Sequence, residues 1–303
     1  MLELLGWSIA KSNEKRLMFA HRFVSLGVQL DFSRTEEKVI VVSNKPGRLN
    51  SILELVAAII SKGSLGFKEA LSLKGKLAFS EGQLFGRVAA PLCRLLSKWA
   101  SDPIERKLDS ELVEALGLVT GSLCRAGPKV VMPISFEAAV LIFTDGACEP
   151  EGTTIGGAIF VPGLQPECFG AKISEEVVQS WCTKEGQTQV IGQAEIHPVL
   201  IARHTWGSLL RNRKVLYFID NDSARLSLIK AYSPVLPSLS IIMKCSAWDN
   251  ENGSISWYAR VPTASNIADD PSRFDANLLR VKYGARLVRP CYNGPWPFTD
   301  ILE

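Results

Sequence analysis

The alternation of apolar and polar positions divides the chain into three stretches with different periods. Residues 1–45 read as short strands and turns. FVSLGVQLDF (23–32) is rich in aromatic and β-branched residues, with Gly27 as a bulge or close-approach point. KVIVVSNKPG (38–47) is a second apolar run closed by turn residues. From 48 to 125 the period becomes helical: Ile52, Leu53, Leu55, Val56, Ile59 and Ile60 recur at helical spacing, and Gly63 follows as a stop. The pattern predicts further helices over 66–79, over 80–99 with Ser80 as N-cap and a kink or break at Pro91, and from Asp109 or Ser110 onward. CRAGPKVVMPIS (124–135), with two prolines and a glycine, marks a domain boundary.

Beyond that boundary the order is strand-first. AAVLIFTD (138–145), TIGGAIFV (154–161) and ECFGAKI (167–173) read as three strands joined by short turns. A helix over 190–211, the strand KVLYFID (214–220), helices over 222–231 and 235–247, and the strand SISWYAR (254–260) follow. An antiparallel meander followed by parallel crossovers predicts one mixed sheet covered by helices, an α/β domain. The tail from 276, ending NGPWPFTDILE, has no assignable period.

Composition narrows the function classes. With 47% hydrophobic and 21% charged residues over 303 positions, the chain can bury a core and has room for two domains. The longest apolar runs, such as LELVAAII (53–60), are too short to span a bilayer, so no membrane partner is expected. The N-terminus carries Glu3 and no basic n-region, which predicts an intracellular protein, cytoplasmic or nuclear and not secreted. Seven cysteines lie singly with no CxxC pair, against a disulfide framework or a structural zinc site. Three histidines without an HxxxH pair argue against zinc-hydrolase chemistry. Charge is asymmetric: residues 1–135 hold 19 Lys and Arg against 13 Asp and Glu, whereas 136–303 hold 15 against 18. A basic first half beside an acidic second half suggests a polyanion-binding arm next to a metal-binding domain, and a solvated helix surface accounts for the basic excess equally well.

The candidate chemistry lies in four acids. Asp145 ends an apolar run, Glu195 lies in the first turns of a helix, Asp220 ends the strand VLYFID, and Asp269 lies where a loop meets a last helix. Two strand ends and two helix starts can meet at one sheet edge, where four carboxylates would repel one another unless divalent cations sat between them. Oxygen-only ligation suits Mg²⁺ or Mn²⁺, and two such ions about 4 Å apart would serve phosphodiester hydrolysis, with Asp145 bridging both. Each acid also has an ordinary reading. Asp145 would be a turn residue, Glu195 a helix-start acid favoured by the macrodipole, and Asp220 and Asp269 caps. Asp222 and Asp270 stand beside the proposed ligands as alternatives, and Pro198 would strain its helix unless that helix starts late.

Asp-Glu-Asp-Asp in this order, on these elements, resembles the ribonuclease H domain of reverse transcriptases. FTDGA, QAE and FIDN look like its first three motifs, and VPTASNIADDPSR looks like the closing VPG..N..AD.LSR motif of retroelements, with Asp269 in the catalytic place. The likeness covers 138–275. Upstream, LGW (5–7) and SLGVQLDF (25–32) resemble the region after a polymerase active-site hairpin, with Leu26-Gly27 at the primer-grip position. KPGRLNSILELV and LSLKGKLAFSEGQLFGR (71–87) resemble a thumb and connection, most closely of the DIRS-like kind. The resemblance implies a ribonuclease H-like mixed five-stranded sheet flanked by helices, preceded by a mainly helical thumb/connection-like region. Its parts would be palm-like strands at 1–47, the helical region at 48–130, the ribonuclease H-like domain at 136–275 and a tail at 276–303. It also implies Mg²⁺-dependent cleavage of the RNA strand of an RNA–DNA hybrid by Asp145, Glu195, Asp220 and Asp269. No YxDD motif is present and fingers and palm are missing, so this chain alone is not expected to polymerise DNA; a missing polymerase portion is a candidate partner. No histidine lies between Asp220 and Asp269, where many ribonucleases H carry one.

Lys74, Lys76, Arg87, Arg94 and Lys98 are candidates to track a phosphate backbone, with Asn221 and Arg273 as supports for the metal shell or a substrate phosphate. Solvated-surface or capping roles serve these residues equally well. Trp181, Trp206, Trp248 and Trp257 could stack on bases, with core packing the better account. Gly156-Gly157 reads as a strand allowing close approach, for instance of a hybrid's backbone. Two other classes compete with the nuclease. One is a non-enzymatic nucleic-acid-binding remnant; the other is a DDE-type strand transferase, which would want Glu as its last acid.

Overall fold

The computed structural model describes residues 20–82, 86–101, 104–131, 138–182 and 190–303; the LGW stretch and the last four residues of the predicted boundary, 132–135, lie outside them. The first apolar run is a hairpin rather than one strand. β1 (Arg22–Ser25) and β2 (Val28–Asp31) pair antiparallel, and Leu26 and Gly27 both take positive φ, the primed-turn geometry that matches strand twist. Gly27 is thus a turn residue, not a bulge. β3 (Ile40–Asn44) pairs with β2 and leads into α1 (Arg48–Lys62), whose Ile52, Val56 and Ile59 are buried. The short β4 (Ser64–Leu65) precedes α2 (Phe67–Gly82).

Here two local expectations fail. Ser80 lies inside α2 and donates to the Leu77 carbonyl instead of capping a new helix. Pro91 sits in the first turn of α3 (Ala90–Trp99), where a missing N–H costs nothing, so it starts a helix rather than kinking one. The short β5 (Arg106–Lys107) pairs with β4. α4 (Ser110–Arg125) is capped as expected, with Asp109 Oδ1 accepting from Leu112 N at 2.7 Å. Residues expected to be linker instead form β6 (Lys129–Val131), which closes a four-stranded sheet against β3.

The second unit is built on β7 (Val140–Glu149), β8 (Gly152–Phe160) and β9 (Glu167–Ile173), an antiparallel meander. After α5 (Glu175–Trp181) come α6 (Ile191–Thr205) and the short α7 (Gly207–Leu210). β10 (Lys214–Ile219) then joins parallel to β7. α8 (Asp222–Lys230) and α9 (Leu236–Asn252) lead to β11 (Ile255–Arg260), parallel to β10. The five strands run in the order β11-β10-β7-β8-β9, the ribonuclease H-like mixed sheet anticipated from sequence. The chain closes with α10 (Asp269–Ser272), α11 (Asn277–Tyr283), β12 (Arg286–Leu287) and β13 (Phe298–Ile301). Both last strands pair with β9, so the tail widens the sheet to seven strands and covers an edge that would otherwise be open.

One face of the sheet packs Val140, Ile142, Ile155, Phe169, Tyr217 and Ile219 against the helices α6, α8 and α9. The other packs Ala158 and Cys168 against α11. The core of the first unit, including Leu73, Leu92, Leu96 and Leu116, is completed by Leu239 and Met243 of α9. Each such fully buried side chain contributes roughly 1.5–3 kcal/mol, so the two units share part of their stabilisation. Among the described residues, no helix is long and apolar enough to cross a membrane.

Candidate metal centre

Asp145 does not end its strand. β7 continues to Glu149, and Asp145 pairs with Gly156 in mid-ladder. Asp and Gly are poor strand formers, which is why the sequence reads as a turn, but the nine-residue register with β8 overrides that preference. The strand that does stop is β10, whose ladder with β7 ends at Phe218↔Phe143. Asp220 follows immediately, one residue past the strand end.

Asp145, Glu195 and Asp220 each present one carboxylate oxygen, and these oxygens lie within 4.8 Å of one another. Asp145 is 5% exposed and Glu195 7%. Glu195 Oε2 and Asp220 Oδ1 are buried without a hydrogen-bond partner. Burial, and then the charges of Asp220 and Asp269, push the Asp145 carboxyl up to about 6, against the pull of the Ser272 hydroxyl. Burial, then Asp145 and Asp220, push Glu195 up to about 9. At such separations like charges repel by on the order of 3 kcal/mol per pair at an effective dielectric near 20. The unspent acceptors and the repulsion are both relieved by a hard divalent cation, and the donor set is all oxygen, so the three residues fit Mg²⁺ or Mn²⁺.

The helix carrying Glu195 departs from expectation. α6 starts at Ile191 and holds Pro198 as its eighth residue, well past the first turn. Proline removes the N–H that would bond the carbonyl four residues earlier, which is Ala194. That carbonyl lies against Gly146 so closely that a Cβ there would collide with it. A missing N–H and a missing side chain thus meet one residue from Glu195 and one from Asp145, letting the two backbones touch.

Asp269 stays outside the trio. Its Oδ1 accepts from Arg273 Nε at 3.1 Å, and Arg273 reaches on to Glu149 Oε1 at 3.0 Å. Asp222 is likewise engaged elsewhere, with Arg225 at 2.8 Å and Arg260 at 3.4 Å. Asp270 is not in the cluster either. Asn221 caps α8, its Oδ1 accepting from Ala224 N at 3.0 Å, and its side chain lies near enough to Glu195 to pull that carboxyl down, against the effect of burial. Two residues of the closing motif that sequence reasoning passed over touch the site directly: Asn266 and Ser272 both donate to Asp145.

The basic candidates divide. Arg87 donates to the carbonyls of Leu228 and Ile229, and Arg94 to that of Lys230 at 3.3 Å while stacking over Tyr232. Both guanidinium groups therefore bind the carbonyl end of α8 and join the two units. Lys76 Nζ donates to Ser51 Oγ at 2.5 Å, Lys74 is half-buried, and Lys98 is exposed. Trp181 and Trp206 are core residues and Trp248 packs on the core, whereas Trp257 is 72% exposed. The close approach read at Gly156-Gly157 is real, but α10 makes it at Gly156 and the Phe169 ring at Gly157.

Comparison with solved structures returns ribonuclease H1 of the archaeon Halobacterium salinarum NRC-1, 17% identical with a TM-score of 0.32, covering 43% of this chain and 91% of that one. The N-terminal ribonuclease H domain of a Mycobacterium tuberculosis protein is 14% identical with a TM-score of 0.32, covering 48% of this chain and 99% of that one. A foamy viral protease-reverse transcriptase in complex with double-stranded DNA is 16% identical with a TM-score of 0.31; the match covers 82% of this chain and 47% of that one. No protein-family model and no curated protein matches the chain.

Proposed function

We propose that this chain is a metal-dependent endonuclease of the ribonuclease H type, cleaving the RNA strand of RNA–DNA hybrids. In this reading it is the C-terminal portion of a retroelement reverse transcriptase of the DIRS-like kind. The observation that carries the proposal is the meeting of buried Asp145 and Glu195 with half-buried Asp220, one oxygen of each within 4.8 Å, while Glu195 Oε2 and Asp220 Oδ1 have no hydrogen-bond partner. Divalent cations bound there, two in the full reading, would supply Lewis acidity for activating a water and stabilising the leaving oxygen.

The chain's own residues have separable tasks. Asp145, braced by Asn266 and Ser272, is the fixed ligand. Glu195 comes from α6 and Asp220 from the end of β10, each on a rigid element. Asn221, at the α8 cap, favours the ionised form of Glu195. Asp269, paired with Arg273 at 3.1 Å, would complete the set by leaving its ion pair. Discrimination for a hybrid would come from 2′-hydroxyl and minor-groove contacts, with Lys74, Lys76 and Lys98 left to meet phosphate.

The competing reading, a nucleic-acid-binding remnant, is favoured by one observation: Asp269 is tied to Arg273 and the fourth ligand is absent from the cluster. Purified full chain incubated with a labelled hybrid separates the two. Cleavage of the RNA strand with Mg²⁺ and none with EDTA is expected. Hybrid binding without cleavage in Mg²⁺ or Mn²⁺ establishes the remnant.

A further inference from the structure

Asp145 is gripped from the side opposite α6. Ser272 Oγ lies 2.6 Å from Asp145 Oδ2, and Asn266 Nδ2 lies 3.3 Å from Asp145 Oδ1 and 3.2 Å from the Thr144 carbonyl. Ser272 is fully buried and Asn266 is 4% exposed. The Ser272 hydroxyl has a second acceptor in reach, the Asp269 carbonyl at 2.7 Å, but only one proton to give. A carboxylate is the stronger acceptor, and 2.6 Å is the length of a charge-assisted O–H···O⁻ bond, so the proton belongs to Asp145.

How α10 gets this close is written in the strands beneath it. Asp145, Gly156 and Gly170 are direct cross-strand neighbours on β7, β8 and β9, so they line one face in a row. A Cβ at Gly156 would collide with Ser272 N and the Ala268 carbonyl, and one at Gly170 with the Pro271 carbonyl. The helix therefore rests backbone on backbone upon a lane without side chains. At its end the lane meets the carboxylate.

We propose that Ser272, seated by the Gly156–Gly170 lane and seconded by Asn266, is a positioning residue that fixes the orientation of the Asp145 carboxylate for cation binding. The inference rests on the reading of Asp145 as a metal ligand. Ser272 touches neither substrate nor ion; it acts through Asp145. With Asn266 on Oδ1 and Ser272 on Oδ2, both Asp145 oxygens are held while one of them lies within 4.8 Å of the Glu195 and Asp220 oxygens, so the ligand need not reorganise when a cation arrives.

The test is Mn²⁺ binding by calorimetry on the full chain, with melting of the metal-free protein measured alongside. Outer-shell partners of metal ligands typically govern about 10–100-fold in affinity. Ser272→Ala removes one buried oxygen and should weaken Mn²⁺ binding about 10-fold, while the metal-free protein still folds, with a melting temperature lower by a few degrees. Asn266→Ala, which removes a longer bond to Asp145, should weaken it less, by about 3-fold. Unchanged Mn²⁺ affinity in Ser272→Ala, whether or not melting shifts, overturns the proposal and leaves the metal site standing. Absence of Mn²⁺ binding in the unaltered chain overturns the site itself, and the role of Ser272 with it.

Discussion

Helix α6 carries two buried charges eight residues apart, and the molecule treats them in opposite ways. Arg203, 0% exposed, is fully answered. Its Nε and one terminal nitrogen donate to both oxygens of Asp249 at 2.9 Å, and it also reaches Tyr258 Oη, Ser256 Oγ and the Val199 carbonyl while stacking on Tyr217. Glu195 is nearly as buried, yet faces two more acids with an oxygen unpartnered. A buried charge that finds every partner inside the fold holds architecture together. One denied partners marks a place where something from outside completes the structure.

This contrast can be pressed from either side. The largest effect is expected at the unanswered end: Asp145→Asn should lower hybrid cleavage by about three orders of magnitude while circular dichroism stays native. Undiminished cleavage would take Asp145 out of the chemistry. At the answered end, Arg203→Leu strands Asp249 and should cost about 3 kcal/mol or more in denaturant unfolding. Mn²⁺ affinity per folded molecule should stay unchanged; a parallel loss of affinity would show that the two charges are not separable.

A third prediction concerns the sign of pH dependence. Asp145 and Glu195 sit at about 6 and about 9, above their ordinary 3.8 and 4.5. Such groups stabilise the fold below the ordinary values, and that stability is lost as pH rises through the shifted ones. In EDTA the melting temperature should therefore fall between about pH 5 and pH 9, and Mg²⁺ should restore it. Glu195→Gln should flatten the fall and melt about 2–4 °C higher than the unaltered chain at pH 9 in EDTA. A steeper fall would contradict the burial argument. The smallest effect is expected at the junction of the units, where Arg87→Ala should cost about 1 kcal/mol and leave Mn²⁺ affinity alone.

The acids of the trio were legible from sequence because each sits in a short motif whose element type is locally encoded. What surrounds them was not. Ser272 and Asn266 lie 127 and 121 residues from Asp145, and nothing in SNIADDPSR says which strand it will cover. The Asp145 strand was read as ending because Asp and Gly are weak strand formers; only pairing with β8 carries it to Glu149. Pro198 was judged by the helix rule alone, whereas the fold uses the freed Ala194 carbonyl to approach Gly146. Arg87 and Arg94 read equally well as phosphate-facing or solvated, since an arginine's address is a tertiary fact; both close the end of α8. The tail has no period because β12 and β13 are two- and four-residue strands recruited by β9.

Helix α8 is tied at both ends, by Asn221 beside the acids and by Arg87 and Arg94 from the neighbouring unit. Anyone trimming this chain to residues 138–303 for crystallisation would cut that rod loose and bare Leu239 and Met243 to solvent. Such a fragment should clump and fray at its carbonyl end, so expression trials belong with the two units kept on one polypeptide.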